Sequence, residues 1–232
     1  MSINKTLHLY QYKDGYRYNS DSLLLYDFSS KLDLKGNVLD VGSGSGILGL
    51  LLKRDFSNIS LTQIEVQDAH KFLTCKNANY NNLESEIICA DFINYKFDKK
   101  FDYIVSNPPF YHKGTQKSEN ELLKISRHSD YLPFEKLTKS VSSNLKPKGS
   151  FLFCYDAKQV DVLLETLLKY KLKVNAMRFV HTKQNKDASI VLIHAKNSSK
   201  TLCKVFPPLY MDSNEVEKIY LNSKTESLLW EN

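Results

Sequence analysis

Apolar and polar residues along the chain form segments that predict strands followed by helices. The predicted strands are short apolar runs at Asn37–Val41, Ile59–Glu65, Glu86–Ala90, Phe101–Ser106 and Ser150–Tyr155. Helical patterns lie between or after them, at Gly46–Arg54, Asp68–Tyr80, Phe134–Asn144 and Ala157–Tyr170. This alternation predicts an α/β fold in which helices cover both faces of a parallel sheet. Ligands are expected at the carboxyl ends of its strands.

The first thirty residues depart from this alternation. Leu7–Lys13 and Tyr16–Tyr18 flank Asp14-Gly15, a dipeptide that favours a type I′ turn, so this part of the chain is predicted to be a hairpin. A short helix is predicted to follow over Ser22–Phe28, capped by Ser20 or Asp21.

The end of the core departs from the alternation as well. Lys173–Thr182 and Ala188–Ala195 are consecutive predicted strands joined by a polar turn, which indicates a final antiparallel pair. We expect a single domain, with the hairpin and helix over residues 1–33, a ligand-binding core over 34–196 and a C-terminal extension over 197–232.

Composition narrows the class of protein. The chain has 232 residues, of which 42% are apolar and 25% charged, and these fractions exclude a disordered chain. The longest apolar run, near Ile47–Leu52, is far too short for a membrane span, and no signal-peptide core is seen, so we expect a cytoplasmic protein. Its cysteines lack metal-type spacing, so no metal is expected. The net charge of +6 is compatible with a nucleic-acid partner without requiring one.

Glycine is concentrated in one predicted turn. Four of the eight glycines lie there, at Gly42, Gly44, Gly46 and Gly49. Residues 38–46 read VLDVGSGSG, a buried strand that enters a glycine turn before a helix, where a ligand could lie against backbone amides. Dinucleotide-binding turns have G-x-G-x-x-G, but Ile47 occupies the position of the third glycine here. A purely structural turn or a nicotinamide site remains the alternative.

Two carboxylates follow neighbouring predicted strands. Glu65 ends the next strand after the glycine turn, where it could accept hydrogen bonds from the two hydroxyls of a ribose. Asp91 could accept a hydrogen bond from the amine of a cofactor adenine, with Phe92 packed on the ring. The alternatives are a solvated surface charge for Glu65 and a turn residue for Asp91.

The sequence Asn107-Pro108-Pro109-Phe110 ends the fourth strand of the core. The side-chain oxygen of Asn107 and the carbonyl of Pro108 could accept both hydrogens of a planar amine. Phe110 could stack on the base that carries the amine. We expect these four residues to be catalytic, with Asn107 also contacting the cofactor. The alternative is a stiff exit from the strand.

These motifs resemble those of known enzymes. The glycine turn, with Asp40 in the strand before it, resembles motif I of S-adenosylmethionine-dependent methyltransferases, which implies that Asp40, Gly42, Gly44 and Gly46 bind this cofactor. Residues 107–110 look like motif IV of the amino-group methyltransferases. Residues 14–25 and 125–128 are similar to the opening signature and the Arg-His segment of the valine-tRNA adenine N6-methyltransferase family.

The resemblance implies a fold, a reaction and a partner. The fold would be the Rossmann-like class I methyltransferase fold, with a mostly parallel seven-stranded sheet and an antiparallel final strand. The reaction would be N6-methylation of an adenosine in a tRNA anticodon loop. The candidate RNA contacts are Arg17, Lys113, Arg127 and His128, with Arg178 as a further basic candidate.

Three other functions stay open at this point. A protein glutamine N5-methyltransferase would use the same Asn-Pro-Pro chemistry, but residues 1–33 are too few for the substrate-binding domain that usually precedes the core. A DNA adenine methyltransferase would need a target-recognition region, and no segment is large enough. A non-catalytic RNA-binding module is the third. Oligomeric state is not indicated by the sequence.

Overall fold

A computed structural model describes residues 5–13, 20–110 and 132–230. Its strands are β1 (Leu7–Tyr12), β2 (Gly36–Val41), β3 (Ile59–Glu65), β4 (Glu86–Cys89), β5 (Phe101–Ser106), β6 (Leu145–Asp156), β7 (Leu172–His181), β8 (Ala188–Asn197), β9 (Lys204–Val205), β10 (Leu209–Tyr210) and β11 (Thr225–Trp230). Its helices are α1 (Ser20–Ser30), α2 (Ile47–Asp55), α3 (Asp68–Tyr80), α4 (Phe134–Asn144), α5 (Val160–Lys169) and α6 (Asn214–Ser223).

The central sheet has the order β10-β7-β8-β6-β5-β2-β3-β4, with β9 also paired to β7. In the described ranges β8 is the strand that runs antiparallel to its neighbours, β6 and β7. The predicted α/β fold with a mostly parallel sheet is therefore confirmed. The seven predicted strands of the core are β2–β8, and the C-terminal extension adds β9 and β10 to the same sheet, which the sequence did not predict because two-residue strands are too short to show a period of two.

Both faces of the sheet are covered, which explains the consecutive apolar residues of its middle strands. Val38 and Leu39 are fully buried neighbours in β2 and belong to different apolar clusters, as alternating side chains on two faces must. One cluster includes residues of α1, α2 and α6, and the other includes residues of α4 and α5. Because β2 lies between β3 and β5, the strand order reverses beside it, which places a crevice at the carboxyl ends of β2 and β5.

Strand β1 pairs with a strand from the C-terminal extension. It runs parallel to β11, with Leu7 opposite Thr225. The sequence predicts instead a hairpin with Tyr16–Tyr18 as the second strand, but residues 14–19 lie outside the described residues. Local turn chemistry carries no information about a parallel partner so distant in the chain.

Asn77 of α3 and Asn81, the residue that caps the end of α3, pair with the other edge of β1. The Asn81 side chain accepts from the His8 amide over 3.0 Å and donates to the His8 carbonyl over 2.7 Å. Asn77 accepts from the Tyr10 amide over 2.7 Å and donates to its carbonyl over 3.1 Å. Asn77 and Asn81 are four residues apart, which is a rise of ~6 Å along a helix. Their partners Tyr10 and His8 are two residues apart, which is ~6.6 Å along a strand, so the two spacings match.

Arg178 holds the C-terminal extension against β7. Its guanidinium makes two parallel bonds to the Glu215 carboxylate, of 2.7 and 2.8 Å, and a third to the Pro207 carbonyl. The residue is 6% exposed. The expectation that Arg178 contacts RNA is therefore wrong, because its donors are engaged inside the protein.

Among the described residues, no helix has both the length and the apolar character needed to cross a membrane.

Candidate functional site

A cavity of about 570 Å³ opens at the carboxyl ends of β2, β3, β4 and β5. This volume lies within the range of cofactor and small-molecule pockets. The cavity brings together most of the predicted site residues, namely Asp40, Gly42, Gly44, Glu65, Asp91, Phe92, Asn107 and Pro109. Gly46, Pro108 and Phe110 adjoin these residues in the chain without lining the cavity.

The glycine loop (residues 42–46) leaves its backbone accessible from the cavity. Gly42 and Gly44 have left-handed φ angles of +70° and +57°, which favour glycine. A Cβ atom added to either residue would have no neighbour within 4 Å, so the space in front of this backbone is open. The loop can therefore take a ligand in close contact.

Gly49 has the opposite environment, in tight contact with buried polar groups. A Cβ atom here would lie 2.7 Å from Gln63 Nε2 and 2.9 Å from Asp40 Oδ2. The Asp40 oxygen accepts from the Gly49 amide over 3.0 Å and from Gln63 Nε2 over 3.1 Å. Burial raises the pKa of the Asp40 carboxyl to about 6, although both hydrogen bonds lower it. Asp40 thus fixes the start of α2 from beneath the loop.

Glu65 faces the glycine loop from the end of β3. One carboxylate oxygen accepts from the Gly44 amide and the other from the Gln67 amide, both over 2.9 Å. A carboxylate oxygen has two acceptor sites, so each retains one for a further donor. The buried, oriented carboxylate is suited to bind two adjacent hydroxyl groups.

Asp91 and Phe92 form the wall of the cavity after β4. The Asp91 oxygens accept from the Ile93 amide over 3.0 Å and from Asn94 Nδ2 over 2.6 Å, which fixes the turn. Phe92 is buried, and its ring lies 6.2 Å from that of Phe97. The wall therefore offers an acceptor beside an aromatic ring.

The acceptor loop (residues 107–110) enters the same cavity from β5. Asn107 Nδ2 donates to Ser22 Oγ of α1 over 2.9 Å, and Cys154 Sγ of β6 donates to Asn107 Oδ1 over 2.8 Å. The Phe110 ring is buried and lies 5.5 Å from the Tyr155 ring. Its stacking on a target base stays a prediction.

Sequence reasoning missed several polar residues that border the loops. Ser22 and Cys154 approach Asn107 from distant parts of the chain, so no spacing links them. Thr74 Oγ1 donates to the Gly44 carbonyl over 2.7 Å, and His70 lines the cavity, where burial lowers its pKa. The sequence did contain a sign of the α3 residues. His70, Thr74 and Asn77 are spaced so that they lie on one face of a helix, and that face is buried.

The four candidate RNA contacts, Arg17, Lys113, Arg127 and His128, lie outside the described residues.

Comparison with known proteins finds a matching family and relatives of similar sequence. The family described as "Methyltransferase small domain" matches residues 19–179. The chain is 28% identical to a tRNA1(Val) (adenine(37)-N6)-methyltransferase of Pedobacter heparinus, over 73% of each chain. It is 30% identical to a protein of the same name from Shewanella halifaxensis, over 73% of this chain and 70% of the relative.

Solved structures share the fold at low identity. A predicted O-methyltransferase from Agrobacterium tumefaciens superposes with a TM-score of 0.69 at 16% identity, covering 91% of this chain and all of that one. A T. thermophilus 16S rRNA N2 methyltransferase, solved with AdoMet and guanosine, gives a TM-score of 0.56 at 22% identity, covering 80% of this chain and 45% of that one.

Proposed function

The chain belongs to the methyltransferase small domain family and uses S-adenosylmethionine as cofactor, and we propose that it methylates the exocyclic N6 amine of an adenine in tRNA. The target would lie in the anticodon loop, and the enzyme would act in the cytoplasm. The observation that carries this proposal is the position of Asn107. It borders the same cavity as the glycine loop and Glu65, so the amine acceptor and the cofactor site adjoin.

The residues of the cavity fit the cofactor. Glu65 retains acceptor sites for ribose hydroxyls, and the open side of Gly42 and Gly44 can accommodate a chain against the backbone. Within the described residues, the buried hydroxyl oxygens of Ser43 and Ser45 have no hydrogen-bond partner, which provides unused polar groups at this wall. Asp91 and Phe92 would hold the adenine ring.

The acceptor loop would hold the target amine. The bound cofactor supplies a methyl group on a positively charged sulfur. Asn107 Oδ1 and the Pro108 carbonyl would accept the two amine hydrogens, which keeps the lone pair of the nitrogen out of the ring. Most of the rate acceleration would then come from positioning of the amine, and no strong base is required. Pro109 restricts the backbone of the loop, and Phe110 would support the base.

An exposed loop adenosine suits this site. Unstacking a loop base costs less than extracting a paired one. Arg17, Lys113, Arg127 and His128 would contact the RNA near the cavity. The names of the two relatives point to adenine 37 of a valine tRNA as the first target to test.

The test measures transfer of a tritiated methyl group from S-adenosylmethionine to a valine-tRNA transcript. A second transcript carries guanine at position 37, the position given in the relatives' names. Duplex DNA and a glutamine-containing peptide are the alternative substrates. We expect label in the first transcript alone, recovered as N6-methyladenosine.

Two variants make the test specific. Asn107→Ala removes the acceptor oxygen and should reduce transfer at least a hundredfold, since positioned groups of this kind contribute on the order of 10² or more. Asn58→Ala removes an exposed amide in the turn before β3 and should not change it. Label in DNA or peptide instead of tRNA would overturn the proposed substrate, and equal activity of Asn107→Ala would overturn the proposed role of the loop.

A further inference from the structure

The side-chain amide of Asn107 is held from two sides by residues of other elements. Ser22, in the first turn of α1, accepts from Nδ2 over 2.9 Å. Cys154, near the end of β6, donates to Oδ1 over 2.8 Å. Ser22 is 4% exposed and Cys154 is fully buried, so little water competes for either bond.

An asparagine amide needs such partners if it is to act as an acceptor. Rotation about its terminal torsion is broad and roughly two-fold, so an unrestrained side chain presents its oxygen and its NH2 group about equally. An amine donates hydrogens and can pair only with the oxygen. If the Asn107 side chain were flipped about this torsion, its NH2 group would face the target amine, and two hydrogen-bond donors cannot pair.

Both partners satisfy the amide in the observed orientation, in which the thiol donates to Oδ1 and the serine oxygen accepts from Nδ2. Burial and the charge of Asp21 raise the pKa of the Cys154 thiol well above its ordinary value, so the sulfur keeps its proton and can donate. A carbonyl-type oxygen can accept two hydrogen bonds, so the bond from the thiol does not by itself exclude the amine from Oδ1. Ser22 also lines the cavity, which places this anchor at its wall.

We propose that Ser22 and Cys154 are positioning residues that fix the plane of the Asn107 amide, so that its oxygen is directed to the target amine. The proposal rests on the proposed function for the identity of that amine. Both act through Asn107, and their removal should slow transfer without weakening cofactor or RNA binding.

The test compares Ser22→Ala, Cys154→Ala and Cys154→Ser. We expect both alanine variants to lower kcat by on the order of tenfold to a hundredfold, the cost of a misplaced group, with KM for tRNA and Kd for S-adenosylmethionine within about twofold of wild type. Cys154→Ser retains a donor and should recover kcat to within about threefold of wild type. A parallel loss of cofactor affinity, or no rescue by serine, would show that these residues only support packing.

Matched controls exist on the same helix and among the other cysteines. Ser29 is a fully buried serine of α1 whose hydroxyl has no hydrogen-bond partner within the described residues. Cys203 is exposed. Ser29→Ala and Cys203→Ala should leave kcat unchanged, and an equal fall in Ser29→Ala would contradict the proposal.

A spectroscopic measurement separates this inference from the proposed function. In ¹⁵N-labelled protein, the side-chain amide of Asn107 should give one sharp pair of NH2 signals. Ser22→Ala should shift or broaden that pair while the melting temperature stays within about 3 °C. If the wild-type protein methylates no tRNA, the proposed function fails, but the NH2 signals still test whether Ser22 orders the amide. Unchanged signals in both Ser22→Ala and Cys154→Ala would overturn the inference itself.

Discussion

Asp40 is a buried carboxylate beneath the glycine loop whose ionisation is altered by the fold. Its carboxyl group is fully buried, and a single oxygen accepts both of its hydrogen bonds, from Gly49 and Gln63. Burial outweighs these bonds and raises its pKa from 3.8 to about 6. The folded protein therefore binds this proton more tightly than the unfolded chain does, and the charged form costs stability.

The pH dependence of stability should report this carboxyl group. Because the folded pKa is raised, its contribution to the unfolding free energy is complete below about pH 3.8 and is lost as the pH rises through about 6. Relative to Asp40→Asn, the wild-type protein should lose up to about 3 kcal/mol between pH 4 and pH 7, at 1.36 kcal/mol per pKa unit. Urea unfolding of both proteins at four pH values measures this.

The variant comparison cancels the groups that titrate in the same way in both proteins. A difference between the two proteins that stayed constant from pH 4 to pH 7 would contradict the raised pKa. The sequence predicted that Asp40 belongs to the site, but its burial and its partner Gln63 could not be predicted, because they depend on how β3 packs beside β2.

At the scale of elements, α3 connects the glycine loop to the N-terminal strand. Thr74 donates to the Gly44 carbonyl, and Asn77 donates to the Ser45 carbonyl over 2.8 Å. Asn77 and Asn81 also pair with the backbone of β1. One face of α3, extended by its capping residue Asn81, therefore orders the glycine loop and takes the place of a neighbouring strand beside β1.

Asn77→Ala should destabilise the protein and weaken cofactor binding together. The change removes bonds to Tyr10 N, Tyr10 O and Ser45 O, each worth about 1 kcal/mol, so we expect a loss of about 2–4 kcal/mol in unfolding free energy. Exchange of the Tyr10 amide hydrogen should also accelerate. Urea unfolding, hydrogen exchange and S-adenosylmethionine titration measure the three effects.

Asn79→Ala is the control, because Asn79 is exposed on the same helix and its loss should change stability by less than about 0.5 kcal/mol. An Asn77→Ala protein as stable as this control would contradict the role of α3.

The first and last residues of a helix or strand were predictable where the residues on both sides of it break its apolar pattern clearly. Ile59–Glu65, Asp68–Tyr80, Phe101–Ser106 and Phe134–Asn144 were predicted with the bounds that the structure has. Strand β6 was predicted to start at Ser150 but starts at Leu145. Pro147 and two lysines break the apolar pattern there, and Lys148 has a left-handed φ of +62°, so the sequence has no strand signal in this segment.

At the scale of the whole molecule, an ion pair and a strand pair are among the contacts that hold the C-terminal extension to the core. Arg178 of β7 binds Glu215 of α6, and β11 lies beside β1. The sequence predicted an extension over 197–232 but not its docking. A guanidinium-carboxylate pair 37 residues apart and a parallel strand pair leave no local pattern.

Arg178→Lys tests whether this arginine is structural. Lysine cannot form two parallel bonds to a carboxylate, and we expect the unfolding free energy to fall by about 1–3 kcal/mol. The pKa of the Glu215 carboxyl, which Arg178 lowers, should rise in the variant. Affinity for tRNA and its dependence on salt should not change, as measured by urea unfolding and by filter binding at several salt concentrations.

A phosphate contact would give the reverse result. Stability would be unchanged, and the slope of log affinity against log salt would decrease by about one.

The β1–β11 pair also constrains the order in which this protein can be completed during translation. Leu7 is synthesised long before its partner Thr225, with nearly the whole central sheet encoded between them. At roughly 5–20 residues per second, the ribosome needs on the order of 10–40 s to supply that partner. During this interval α3, with Asn77 and the capping residue Asn81, can emerge and pair with one edge of β1, while the other edge stays open to foreign strands. A nascent chain of this protein should therefore be most prone to aggregation in the period before β11 emerges.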